Sequence, residues 1–535
     1  MTKKIRKKKA RDIAVIDLFA GPGGLGEGFG TWQNQKSGFP FDVRLSIEME
    51  MKACETLKVR HLHHALMRRR GGRTLCRELY LELLSNGMDS AIEKFHDIWE
   101  EERIEDTVFR HKMEDDPLNR EKTTASIRDA LRGHNGPKVV IGGPPCKTYS
   151  SAGKSRMSKE KKNKKYDPKK DPRNFLYKEY LHCLREVQPE IFVMENVQGM
   201  LSSEIEDQKL FENMCIDFSE EGLDYEVRSF VTDIKGEPWE SPRDYLVRCE
   251  EYGVPQARHR VILLGVRRDL NIEVHNKLKK SPQVRLRDAI GGMPPYHSGV
   301  TRIKEISVPE KEGQDRFKDV FKNLKTKKWI SELAKTDPGL KRKVLATAKE
   351  LTSKAVVKGK FLKSQKASGK AFHKIIRGCL STKDGLHGQI YKVPRRHMDT
   401  DLERYLYVAC FLELKKRSPK LRDFPKSLLP DHDNVKVEKD LDTHADRFRA
   451  HSPDRTAHTI TCHISKDGHA NIHPDPYQVR ALSLREAARI QSFPDDYWFS
   501  GGKTSGLEQV GNAVPPLVAR QMAGIVYEML SEVTK

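Results

Sequence analysis

The apolar positions of this chain fall in short runs broken by glycine- and proline-rich turns. Ile13-Ala14-Val15-Ile16-Asp17-Leu18-Phe19-Ala20 reads as a first strand, because aliphatic residues follow one another without the polar alternation of a half-exposed strand. A second strand ends in Leu45-Ser46-Ile47-Glu48, and Val139-Val140-Ile141 reads as the end of a buried one. Residues 190–194 and 261–266 repeat the pattern. Residues 175–187 carry helical spacing. Residues 58–130 are helical in pattern and rich in Arg, Glu and His, and read as an insertion between the second and third strands. Strands alternating with helices predict an α/β fold with an open, mostly parallel sheet.

The turns after these strands carry the candidate chemistry, since open α/β sheets hold ligands at the carboxyl ends of their strands. Gly21-Pro22-Gly23-Gly24-Leu25-Gly26 matches G-x-G-x-x-G after the first strand, and Glu48 stands where an acid would meet a ribose. That combination fits any adenosine cofactor, S-adenosylmethionine as well as NAD. After the third run, Gly142 and Gly143 are expected to turn the backbone sharply, and Pro144 and Pro145 to stiffen the exit. Cys146 is then presented as a candidate nucleophile, with a buried structural thiol as the alternative. Glu195, in Glu195-Asn196-Val197, is a carboxylate that could face Cys146 across the sheet; a helix cap is the other reading. In an extended Gln256-Ala257-Arg258-His259-Arg260, the residues Gln256, Arg258 and Arg260 would share one face. Two arginines there suit a polar, electron-rich ligand, or a surface salt-bridge ladder.

Composition narrows the partner. The chain has 535 residues, enough for two or more domains, a net charge of +22 and a mean hydropathy of −0.69. A polyanion, most simply nucleic acid, is the partner this charge predicts. Residues 154–173 hold ten Lys/Arg against three Asp/Glu, among them Lys161, Lys162, Lys164 and Lys165. A basic loop beside a nucleophile suggests a lid over a phosphate backbone. Nine cysteines form no Cys-x-x-Cys pair, so neither a zinc ribbon nor a disulfide framework is expected. His61, His63 and His64 lack the partner spacing of a metal site. No signal peptide or membrane span is expected, which predicts an intracellular location.

Taken in order, these stretches resemble the motifs of DNA (cytosine-5) methyltransferases. Asp17-Leu18-Phe19-Ala20-Gly21-Pro22-Gly23-Gly24 is similar to the cofactor loop, and Glu48 to the ribose-binding acid. Gly143-Pro144-Pro145-Cys146 resembles the Pro-Cys nucleophile motif, although Lys147 stands where the family usually has Gln. Asp171-Pro172-Arg173-Asn174-Phe175-Leu176 resembles the following helix start, whose leucine lines the cofactor pocket. Glu195-Asn196-Val197 and Gln256-Ala257-Arg258-His259-Arg260 match two further motifs. The stretch 480–491, with Arg485-Glu486-Ala487, is similar to the motif bracing two domains, and Gly511-Asn512-Ala513-Val514-Pro515-Pro516 to the last cofactor motif. The acid that contacts adenine has one weak candidate, Glu114-Asp115-Asp116.

The resemblance implies a Rossmann-like S-adenosylmethionine-dependent catalytic domain with a second, smaller target-recognition domain. Residues 1–282 and 456–535 would form the first, and the Lys-rich residues 283–455 the second, with a recognition loop candidate at 385–396. It implies Cys146, Glu195, Arg258 and Arg260 as catalytic residues. Asp17, Phe19, Gly21, Gly23, Gly24, Glu48, Leu176, Asn512 and Ala513 would bind cofactor, and Ser150, Lys161, Lys162, Lys164 and Lys165 would bind DNA. The implied partner is double-stranded DNA, with a cognate restriction endonuclease encoded nearby, and a monomeric, cytoplasmic, nucleoid-associated bacterial protein is expected. A tRNA cytosine-5 methyltransferase and a catalytically idle DNA-binding regulator are the alternatives.

Overall fold

A computed structural model describes residues 13–34, 38–145, 176–205, 208–220, 222–234, 236–272, 276–293, 295–296, 298–300, 317–353, 376, 396–431 and 447–533. Eight strands form its main sheet: β1 (Ile13–Leu18), β2 (Phe41–Glu48), β3 (Val108–Arg110), β4 (Lys138–Gly142), β5 (Ile191–Val197), β6 (Tyr225–Ser229), β7 (Leu246–Arg248) and β8 (His259–Arg267). Their order is β3-β2-β1-β4-β5-β8-β6, with β7 also paired to β8. The first five run parallel to one another, whereas β8 is antiparallel to β5, β6 and β7.

Successive side chains on a strand point to opposite faces. Val139 and Ile141 therefore enter one core with Val15, Ile262 and Leu264, while Val140 enters the other with Ile16, Phe192 and Leu263. The first core is closed by the C-terminal helix Pro516–Val533, the second by the helices Leu176–Val187 and Leu210–Ser219. Burial on both faces explains why these strands read as continuous apolar runs.

After β1 comes α1 (Gly24–Gly30), and after β2 come α2 (Met51–Met67), α3 (Gly72–Ser85), α4 (Met88–Lys94) and α5 (His96–Glu101). These last four pack a small core of their own around Leu62, Leu66, Leu79, Tyr80 and Trp99. The stretch 58–130 is not wholly an insertion: it contains the short edge strand β3 and the helix α6 (Pro117–Leu131) that leads to β4. Three residues, only one of them buried, are too few to show alternation in a sequence.

A separate helical core lies in the second half. The helices Lys328–Thr336, Pro338–Ser353 and Asp399–Lys415 pack Trp329, Leu333, Val344, Leu351, Leu406 and Phe411 together. This core draws residues as far along as Ile472 and Val479, beyond the expected boundary at 455. The chain returns to the sheet domain through Ala457–His458, paired in parallel with Gln256–Ala257. Among the described residues no helix is long and apolar enough to cross a membrane, and no group of three His, Cys, Asp or Glu could hold a metal ion.

Candidate cofactor and catalytic site

The loop between β1 and α1 turns through three positive φ angles: Phe19 at 52°, Gly21 at 56° and Gly23 at 88°. A Cβ on Gly21 would meet nothing within 4 Å, so this side of the loop is open to a ligand. A Cβ on Gly24 would lie 2.2 Å from the Val514 carbonyl oxygen, so glycine is required for the last motif to pack there. Glu48, at the end of the neighbouring β2, accepts a hydrogen bond from Gly21 N–H at 2.8 Å through Oε2. Its Oε1 accepts from Met49 and Glu50 N–H at 2.9 Å each. Burial pushes the Glu48 carboxyl above its ordinary range.

Asp17 lies behind the loop, fully buried with its carboxylate against Gly26. Burial, reinforced by nearby Glu48 and opposed by the backbone at Gly26, holds its carboxyl well above the usual carboxylate range. Leu176 begins the described helix Leu176–Val187 and is half-buried. Asn512 is exposed at the end of the helix Gly502–Asn512, and the buried Ala513 accepts from Gln491 Nε2 at 2.5 Å through its carbonyl. Of the acids Glu114, Asp115 and Asp116, the first pairs with Lys112, the second with Arg120, and the third caps α6. They follow β3, whose continuation His111 donates its N–H to the Glu48 carbonyl at 2.9 Å.

The carboxyl ends of β4 and β5 lie beside this loop on the same edge of the sheet. Glu195 Oε1 is 2.7 Å from Arg260 Nε, across the antiparallel pair of β5 and β8. Glu195 Oε2 lies over Gly143, 2.8 Å from where a Cβ would stand. Asn196 Nδ2 donates to the Pro144 carbonyl at 3.4 Å. The expectation that Gly142 and Gly143 turn the backbone is not met: Gly142 ends β4, and residues 143–145 form no turn or bend. Neither of the two adopts a positive φ; glycine is needed because a Cβ on Gly142 would lie 2.4 Å from the Leu18 carbonyl, and one on Gly143 would meet Glu195. Cys146, Ser150, Lys161, Lys162, Lys164 and Lys165 lie outside the described residues, as does the recognition loop candidate except for Arg396.

Arg258 departs from its expected place. Its N–H donates to the Gln256 carbonyl at 2.9 Å, so the chain turns between Ala257 and His259 and the alternation of an extended segment fails. The guanidinium is fully buried and donates to the carbonyls of Ile460 at 3.0 Å and Gly511 at 3.2 Å. Burial, with Arg260 nearby, lowers its pKa to about 9. Gln256 is also turned inward: it accepts from Ile460 N–H at 2.7 Å and donates to Gln491. These two side chains brace the returning segment and the last motif, and only Arg260 of the three reaches Glu195.

Sequence reasoning missed Glu27, Arg60 and Tyr497. Arg60 is buried with Nε and Nη2 each 2.5 Å from a Glu27 oxygen, and the Tyr497 hydroxyl donates to the Pro22 carbonyl of the loop. A charge inside the glycine-rich run 24–30 was the available signal, because an acid buried there needs a partner.

A parallel sheet continued by an antiparallel β8, a glycine loop after β1 and an acid after β2 define a Rossmann-like methyltransferase fold. The model of the C-5 cytosine-specific DNA methylases matches residues 94–528. The chain is 30% identical to the type II methyltransferase M.Bpa9945I of Bacillus paralicheniformis, over 97% of this chain and 99% of that one. It is 28% identical to the type II methyltransferase M.AgeI of Thalassovita gelatinovora, over 74% of this chain and 83% of that one. A solved structure, the S. pombe Dnmt2 methyltransferase, aligns over 98% of this chain and 100% of that one, at 11% identity and a TM-score of 0.38. The chain belongs to the C-5 cytosine-specific DNA methylase family and is a DNA (cytosine-5-)-methyltransferase.

Proposed function

We propose that this enzyme methylates a cytosine flipped out of a specific double-stranded DNA sequence, through a covalent bond from Cys146, with S-adenosylmethionine as donor. The observation that carries this reading is the Glu195–Arg260 pair seated over Gly143, three residues before Cys146. Cytosine C5 is too weak a nucleophile to take a methyl group directly. Addition of the Cys146 thiolate at C6 converts the ring to an enamine. Glu195 delivers a proton at N3 as charge develops there, and Arg260 holds O2 by a charge-assisted hydrogen bond. When bound, S-adenosylmethionine supplies an electrophilic methyl group for C5. Loss of the C5 proton to a base and return of the N3 proton to Glu195 then let the ring expel Cys146 as thiolate.

Asp17, Phe19, Gly21, Gly23, Gly24, Glu48, Leu176, Asn512 and Ala513 would hold the donor, with Glu48 offering remaining lone pairs to ribose hydroxyls. Arg258 is assigned a bracing role instead of a substrate contact. None of this chemistry can be done on a stacked base, so the cytosine leaves the helix. Ser150 and the basic residues Lys161, Lys162, Lys164 and Lys165 would hold the distorted backbone, and the second helical core would read the site. Relatives that are type II methyltransferases support a role as the modification half of a restriction–modification system. Bisulfite sequencing of plasmid from cells expressing the gene tests the reading: one sequence should carry protected cytosine, and no protected cytosine above background would refute it.

A further inference from the structure

Arg60 is 4% exposed, and its guanidinium is engaged on every side. Nε and Nη2 bind the two Glu27 oxygens, Nη1 lies 3.0 Å from the Tyr80 hydroxyl and 3.6 Å from Asp496 Oδ1, and the group stacks 4.8 Å from the centre of the Tyr497 ring. Glu27 also contacts His64 Nε2 at 3.0 Å, and its carboxyl is lowered to about 2, with Arg60 overcoming the effect of burial. These partners come from α1, α2, α3 and the segment 496–497, which converge behind the glycine loop.

The contact continues toward the loop. Tyr497, fully buried, donates its hydroxyl to the Pro22 carbonyl, and that hydroxyl lies 3.1 Å from where a Cβ on Gly23 would stand. Pro22 sits between the positive-φ residues Gly21 and Gly23, three residues after Phe19 reaches its own positive φ at a steric cost. Strained backbone persists only where its surroundings over-determine it. An arginine buried behind such a loop is costly to desolvate, and an apolar residue would fill the space more cheaply. A planar guanidinium, however, grips Glu27 bidentately and stacks on Tyr497 at once.

We propose that Arg60 is a positioning residue for cofactor binding. Held by Glu27, it fixes the Tyr497 ring, and the Tyr497 hydroxyl fixes the Pro22 peptide, so that Gly21 presents its N–H to Glu48 and its open side to the ligand. The inference rests on the reading of the Gly21–Gly24 loop as the S-adenosylmethionine site. It makes the helical insertion part of the cofactor site's frame, since Tyr80 on α3 closes the grip on Arg60.

The test uses the full-length enzyme and S-adenosylhomocysteine without DNA, with affinity read by calorimetry. Tyr497→Phe keeps the ring and deletes one hydroxyl; Arg60→Lys keeps the charge and loses the bidentate grip. Each should weaken binding about tenfold, which is about 1.4 kcal/mol, while ligand-free Tyr497→Phe still unfolds in a single cooperative thermal transition, as a folded enzyme does. In turnover with DNA, the KM for S-adenosylmethionine should rise about tenfold, with kcat at saturating donor changed less than about twofold, as expected when binding alone is lost. Unchanged affinity in a folded Tyr497→Phe would overturn the link from Tyr497 to the loop, and unchanged affinity in Arg60→Lys the role of Arg60. Failure of the wild-type enzyme to bind S-adenosylhomocysteine would overturn the loop reading itself, and this inference with it.

Discussion

Arg260 and Glu195 meet at 2.7 Å across the junction where the parallel part of the sheet gives way to the antiparallel β8. The antiparallel pairing puts Ile262 opposite Glu195 and Arg260 opposite Val197, so the arginine reaches back diagonally to the carboxylate. The two side chains hold each other at the mouth of the site. Glu195→Gln should lower single-turnover methylation by roughly 10²–10⁴-fold, the usual worth of a positioned proton donor. S-adenosylhomocysteine affinity should stay within a factor of about two, because the proposed donor site, the Gly21–Gly24 loop, lies beside this pair. A rate within about tenfold of wild type would remove Glu195 from its role.

Arg258 is predicted to matter through stability. Arg258→Met orphans the buried carbonyls of Ile460 and Gly511, at about 1–3 kcal/mol each. Urea unfolding should shift to a clearly lower midpoint. Lost methylation in a variant with wild-type stability would instead mean that Arg258 touches substrate.

These two arginines show what was legible in the sequence. The strands were readable because burial on both faces writes an unbroken apolar run, as at Val139-Val140-Ile141, and the glycine loop because its spacing is dictated by a turn and a close approach. Alternation in Gln256-x-Arg258-x-Arg260 misled because a single turn at Arg258 breaks the strand, and nothing in the side chains announces a backbone hydrogen bond. β3 was hidden by its brevity. Arg60 was hidden because its partners Glu27 and Asp496 are distant in sequence.

His451 supplies a pH prediction. It is fully buried; its Nε2 is 3.0 Å from Asn471 Oδ1, and its Nδ1 accepts from His458 N–H at 3.1 Å. Both ring nitrogens are thus committed to the neutral form, and burial, then His458, lower its pKa to about 3 from an ordinary 6.5. Between those values the unfolded chain binds a proton that the folded one refuses. Stability is therefore full above about pH 6.5 and falls as pH drops toward 3, by at most about 1.4 kcal/mol per pH unit for this one group. Buried His64 and His473, also lowered, add to the slope. His451→Gln should flatten the dependence of unfolding free energy between pH 6.5 and 5 by up to one proton's worth. An unaltered slope would show that His451 titrates alike in both states.

The basic residues after Cys146 should act on phosphate. Replacing Lys161, Lys162, Lys164 and Lys165 with Gln is expected to weaken DNA binding. It should also flatten log affinity against log salt by roughly one to three units, at about 0.9 per lost contact. Site preference should hold, because phosphate contacts carry no base information. A slope equal to wild type would mean that none of the four reaches the backbone.

The covalent step can be read directly once the target sequence is known. A duplex carrying 5-fluorocytosine at the target position offers no C5 proton to lose, so the Cys146 bond cannot be released after methyl transfer. Incubated with S-adenosylmethionine, the wild-type enzyme should give a denaturation-resistant complex whose mass equals protein plus methylated DNA, with the attachment mapped to Cys146. Cys146→Ser should give none while still binding S-adenosylhomocysteine. A complex attached at another residue, or rapid methylation of ordinary target DNA by Cys146→Ser, would contradict the account.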